Sequence, residues 1–207
     1  MENDKKTSCT VLAILYVLLS YACPLIWVGV ADENAPKGIL VILAIPSFFG
    51  IINAIYIKLN FNTISRNTLL RSAIIVKYLL IPLYIVGGLL IALFFLLIFT
   101  PVVIMIFVGP FMITILSVYG YLIMLGGNAF SLAYIKKAKE EGIHGGVLST
   151  LGKVFQFFFA VDVVSLAILS LKEKKYIGAT VTVIVLLALG FIGTSIWLFF
   201  NIMAAFV

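Results

Sequence analysis

Long apolar runs separated by short polar turns dominate this chain. Thr10–Val30 is a run of 21 residues with Pro24 in its second half, and Gly38–Ile57 is one of 20 residues interrupted by Pro46 and Gly50. A helix crossing a bilayer needs about 20 such residues, so each run predicts one span. Proline is tolerated in a span because neighbouring helices satisfy the carbonyl it frees. The acidic turn 31–37 joins them, and Lys58–Ser72 reads as a polar loop. From Tyr78 to Ile135, 58 residues, there is no Asp, Glu, Lys, Arg or His. That length predicts two crossings, near Ala73–Phe99 and Val102–Leu125. Thr100-Pro101 and Gly109-Pro110 are the strong breaks between them. Two spans of about 22 residues leave roughly 14 over. Those fit a re-entrant segment over Pro101–Pro110, or a surface helix restarting after Gly126-Gly127 through Asn128–Glu141. Lys136–Lys153 is the second polar loop. Val154–Leu171, bounded by Lys153 and Lys172, predicts a fifth crossing, and Tyr176–Val207 supplies a sixth over about 177–198.

The N-terminus has features of a secretory signal: Lys5 and Lys6, then an apolar stretch, then Ser20-Tyr21-Ala22 at cleavage-like spacing. The apolar run continues to Val30, a span rather than a short signal core. An uncleaved first helix is expected.

Composition narrows the class. Of 207 residues, 64% are hydrophobic and 11% charged, against about 25% charged in soluble domains. A soluble enzyme, a disordered chain and a nucleic-acid-binding domain are excluded. The expected fold is an all-α, polytopic transmembrane bundle forming a single integral membrane domain, with six spans preferred and five the alternative.

The net charge of +6 reports orientation, since the 14 basic residues fall at the ends of apolar runs. With six spans and a cytoplasmic N-terminus, ten basic residues lie inside and four outside, in line with the positive-inside rule. Lys172, Lys174 and Lys175 are then awkwardly outside. If Val154–Leu171 does not cross, the ratio becomes thirteen to one. The expected location is the cell membrane, multi-pass, with loops 58–72 and 136–153 cytoplasmic.

Candidate chemistry is sparse. The chain has one histidine, His144, expected to be solvated beside Glu140 and Glu141. It has no His-rich metal site and no phosphate loop of the Walker type. No cofactor and no metal are expected, and no catalytic constellation marks an enzyme. Gly50/Ala54, Gly88/Ala92 and Gly190/Gly193 have the spacing of close helix packing. Asn53 and Asn201 are expected to make interhelical hydrogen bonds, and Trp27 and Trp197 to anchor the interfaces. Asp162 is the only acidic residue inside an apolar run. On a spanning helix it lies roughly 14–15 Å from each end, at mid-membrane. Insertion there costs about 2.5–3.5 kcal/mol. With Lys77 assigned to a helix end, no base stands at its depth, so a neutral carboxyl is expected, with Ser165 sharing its face. These features lead to a small transport-type protein for an ion or small solute, with Asp162 as its site. The alternative is a non-catalytic subunit assembling with copies of itself or a larger membrane complex through its small-residue faces.

Overall fold

A computed structural model describes the backbone of residues 2–30, 36–159 and 161–205, and the side chains of residues 5–26, 43–159, 161–190 and 193. The described chain is all helix, with no strand among the described residues. Its elements are α1 (Glu2–Val30), α2 (Pro36–Asn60), α3 (Arg66–Leu79), α4 (Ile81–Ile98), α5 (Met105–Glu140), α6 (Gly146–Phe155), α7 (Val161–Lys172) and α8 (Ile177–Ala205). Four stretches among the described residues are long and apolar enough to cross a membrane: Lys5–Ile26, Leu43–Asn60, Arg66–Ile98 and Met105–Glu140. The side chains of Trp27, Trp197 and Asn201 lie outside the described residues, as do residues 31–35 of the turn expected over 31–37, while residues 36 and 37 of that turn begin α2.

The chain divides into two units, residues 1–166 and 167–207. In the first, α5 is the central column, packed on α2, α3, α4 and α6, while α1 packs on α2 and α3. The second holds the end of α7 and α8. There the Ser170 hydroxyl donates to the Lys175 carbonyl at 2.5 Å and lies 3.3 Å from the Thr180 hydroxyl, tying the two helices across their turn.

Helix α3 starts six residues or more before the expected span. Ser65 caps it, its hydroxyl accepting from the Thr68 backbone at 3.3 Å, so Arg66–Ser72 is helix rather than loop. Pro82 lies at the second position of α4 and separates α3 from α4. Its ring removes one donor and crowds the carbonyl a turn before it. The Tyr21 hydroxyl donates at 2.6 Å to the Leu79 carbonyl, one of the acceptors at this break.

Helix α5 runs unbroken through Gly126-Gly127 to Glu140. The surface helix starting at Asn128 is therefore not formed, and 99–104 is a short turn rather than a re-entrant segment. The two glycines are contact points, not breaks. A Cβ on Gly126 would collide with the Tyr16 side chain, and one on Gly127 would stand 2.9 Å from Val76. Gly50 of α2 meets the same place: its Cβ would stand 2.5 Å from the Gly126 backbone. The Gly88 and Gly190/Gly193 positions differ, having open space where a Cβ would go.

The basic loops share one end of the first unit. Arg66 pairs with Glu141, Lys137 donates to the carbonyls of Phe61 and Ile64, and Lys5 donates to the Thr63 hydroxyl at 3.2 Å. His144 belongs to this end too. It is buried rather than solvated, with its Nε2 3.1 Å from the Tyr134 hydroxyl.

The largest departure from expectation is Val154–Leu171, which is not one helix. Helix α6 has 10 residues and α7 has 12, with a turn beginning at Gln156 between them. Neither alone reaches the roughly 30 Å of a hydrocarbon core at 1.5 Å per residue. Three bulky Phe residues, Phe157–Phe159, occupy the turn.

Candidate functional site

Asp162 lies in the first turn of α7, immediately after the turn. It is 1% exposed, and the ammonium of Lys77, 0% exposed on α3, pairs with its Oδ2. The expected neutral acid thus loses its premise, since a base does stand at the depth of Asp162. The same ammonium donates to Asn128 Oδ1 on α5. Asn128 Nδ2 donates onward to the Gln156 carbonyl at 2.5 Å. Asp162 Oδ1 accepts from the Val163 backbone at 2.8 Å, at the helix end where free N–H groups favour a carboxylate.

This network closes the turn on itself. Gln156 Nε2 reaches the Asp162 carbonyl at 3.4 Å, so the entering and leaving limbs stand side by side. Beyond them, Phe159 packs edge-on against Tyr84 with ring centroids 4.8 Å apart. A Cβ on Gly120 would also lie 3.7 Å from Phe159. Gly120 is eight residues before Asn128 on α5, about 12 Å deeper along the helix. The segment therefore goes in, turns at its phenylalanines and comes back to the level of Lys77 and Asn128.

The level itself differs from the mid-membrane expectation. Gly50 meets Gly126, and Asn128 follows two residues later. The pair then stands roughly 7 Å inside Ile57, the expected inner edge of span two. It is about midway between that edge and the centre of the span.

Beyond Phe159 lies a cavity of about 350 Å³ between α1, α4 and α5. Pro24, Leu83, Gly87, Ile91 and Leu116 are among its walls. Tyr84 and Tyr119 bring hydroxyls. That of Tyr119 donates to the Ser20 carbonyl at 3.0 Å, while that of Tyr84 is buried without a partner among the described residues.

The other expected site residues are not drawn into the network. Ser165 is buried, but among the described residues no hydrogen bond joins it to Asp162. Asn53 is fully buried, and neither of its amide atoms has a partner among the described residues. The expected interhelical hydrogen bond is therefore not formed there. Lys77, Asn128 and Gln156 were not anticipated. Their signal was available: each is a polar residue with apolar neighbours on both sides. Among the described residues no three His, Cys, Asp or Glu side chains gather as a metal site.

No curated protein and no solved structure matches the chain. A model described as a family of unknown function, DUF6652, matches residues 5–176, which includes every member of the Lys77–Asp162 network, and the chain belongs to that family.

Proposed function

We propose that this is a small transport-type protein of the cell membrane, in which the α6–α7 hairpin gates a path for a small solute or ion. The observation that carries this reading is the hairpin's position. Phe159 at its tip lines the apolar cavity and packs on Tyr84, and a buried Lys–Asp pair holds its base. Broken helices meeting inside the membrane are a recurring way to build such sites, because their loose backbone ends face the cavity. Removing the charge on Asp162 releases Lys77 from the hairpin, which couples a proton to its opening. The Tyr84 hydroxyl offers a hydrogen bond to a solute in the cavity. In this reading the N-terminus is cytoplasmic, α1, α2, α3–α4, α5 and α8 cross, and the hairpin does not.

Proteoliposomes with an entrapped pH indicator test it. The protein should dissipate an imposed pH gradient faster than protein-free vesicles. Asp162→Asn keeps the size and hydrogen-bonding capacity of the side chain but leaves the buried Lys77 ammonium without its counter-charge. It should unfold at a lower temperature than the parent and, where it still inserts, lose the flux because no carboxyl is left to carry the proton. Gly87→Phe, which fills the cavity, should also abolish it. Flux unchanged in both variants, or none above protein-free vesicles, would refute the reading.

A second reading rests on α4, which has no buried residue along its 18-residue length. Such a helix suits an assembly subunit that docks on another membrane protein or on a second copy. A complex of fixed stoichiometry in mild detergent, dissolved by substitution of the outward-facing Leu89 of α4 (Leu89→Lys) and accompanied by no flux, would favour this alternative.

A further inference from the structure

At the basic end, α2, α5 and α6 border an open groove of about 560 Å³. Three lysines line it, one from each helix: Lys58 in the last turn of α2, Lys136 near the end of α5, and Lys153 in the last turn of α6. No acidic residue lines it. Lys58 and Lys153 have no ion pair among the described residues. Lys136 has only Glu140 at 3.8 Å, one turn along the same exposed helix face, and the ring of Phe61 at 4.5 Å. The fold thus holds three like charges around one concavity, an arrangement that raises the local anion concentration.

The floor has the opposite character. Ala54 lies one turn before Lys58 on α2, and Ala129 and Ala133 precede Lys136 on α5. The small side chains leave a trough that runs from the lysines along the α2–α5 seam, toward the uncharged part of both helices. We propose that this groove binds one anionic phospholipid, with its phosphate among Lys58, Lys136 and Lys153 and an acyl chain along the alanine trough. A soluble anion would use the lysines and leave the trough unused. An anionic lipid uses both, and basic pockets between helices at the cytoplasmic face suit such headgroups. The inference is independent of the gating hairpin and does not require transport.

The test uses the full chain in mild detergent, with lipid adducts counted by native mass spectrometry. The probes are phosphatidylglycerol, phosphatidylcholine and inorganic phosphate. Phosphatidylglycerol should be retained in preference to phosphatidylcholine, and inorganic phosphate at equal concentration should not displace it. Each lysine near a membrane surface contributes about fivefold, so Lys58→Gln/Lys136→Gln/Lys153→Gln should lose on the order of 100-fold in affinity. Should that variant fail to fold, Lys58→Gln alone should lose about fivefold. Lys6→Gln/Arg71→Gln/Lys139→Gln removes the same charge at positions that do not line the groove and should keep the preference. Ala54→Trp keeps all three lysines, fills the trough and should lose the lipid. The proposal is overturned if the groove variants bind phosphatidylglycerol as the parent does. It is equally overturned if the control variant loses as much, or if inorganic phosphate displaces the lipid.

Discussion

Lys77 and Asp162 each sit where a lone charge would be costly, so each is held in place by the other. Removing the ammonium alone leaves a carboxylate in an apolar enclosure, a change that typically costs about 3–5 kcal/mol. Lys77→Met should therefore destabilise the bundle by about that much. Replacing both partners with apolar residues removes the uncompensated charge, so Lys77→Met/Asp162→Leu should recover most of the loss. A residue of about 1–3 kcal/mol should persist, because Asn128 Oδ1 still lacks its donor. Thermal or denaturant unfolding of the four chains in detergent measures the coupling. Strictly additive losses would mean that the two groups do not interact. Asp162 was legible as an exceptional residue because an acid in an apolar run stands out in one dimension. Its partner was not, because depth had been reckoned from an assumed helix start at Ala73. With α3 starting at Arg66, Lys77 stands in the last turn of that helix, eleven residues into the 33-residue membrane-length stretch Arg66–Ile98. Gln156, amid Val154, Phe155 and Phe157, was a polar residue in a run assumed to be uniform helix, and that assumption hid the turn it begins.

Glycine has two meanings at the scale of helices, and the environment decides between them. In water it weakens a helix through entropy, by about 1 kcal/mol relative to alanine. In a membrane, where helix association depends on close packing, it lets backbones approach. Gly50, Gly126 and Gly127 are of the second kind, and this is why reading Gly126-Gly127 as a break failed. Gly88 is of neither packed kind, with nothing within 4 Å of an added Cβ. Gly50→Ala should therefore separate α2 from α5, lower the unfolding temperature and disturb the Tyr16 hydroxyl bond to the Ile123 carbonyl, 2.6 Å long. Gly88→Ala should be neutral or stabilising by up to about 1 kcal/mol. Equal unfolding temperatures for these two variants would show that the α2–α5 contact is not a tight one. Proline carries the converse lesson. Pro24, Pro46 and Pro110 remain inside helices, while Pro82, not singled out beforehand, separates α3 from α4 within one turn of the ion pair.

Stretches long and apolar enough to cross a membrane were legible from run lengths, while a break inside a run was not. Val154–Leu171 has the composition of a span, and nothing in a hydropathy sum distinguishes a straight helix from a hairpin of two short ones. The geometry favours the hairpin, since Gln156 and Asp162 stand side by side while Phe159 reaches deeper. The charge count points the same way, since the five-span alternative divides the basic residues thirteen to one where six spans divide them ten to four. Single cysteines at Asn62, Val103, Gly145 and Lys174, on a background of Cys9→Ala and Cys23→Ala, turn this into a measurement. In intact cells an impermeant thiol reagent should label Val103→Cys alone. The other three should label only after permeabilisation. Labelling of Lys174→Cys together with Val103→Cys would mean that the broken segment crosses after all, restoring six spans. Labelling of Asn62→Cys but not Gly145→Cys would contradict the shared basic end, where Arg66 meets Glu141 and Lys137 reaches the Phe61 and Ile64 carbonyls.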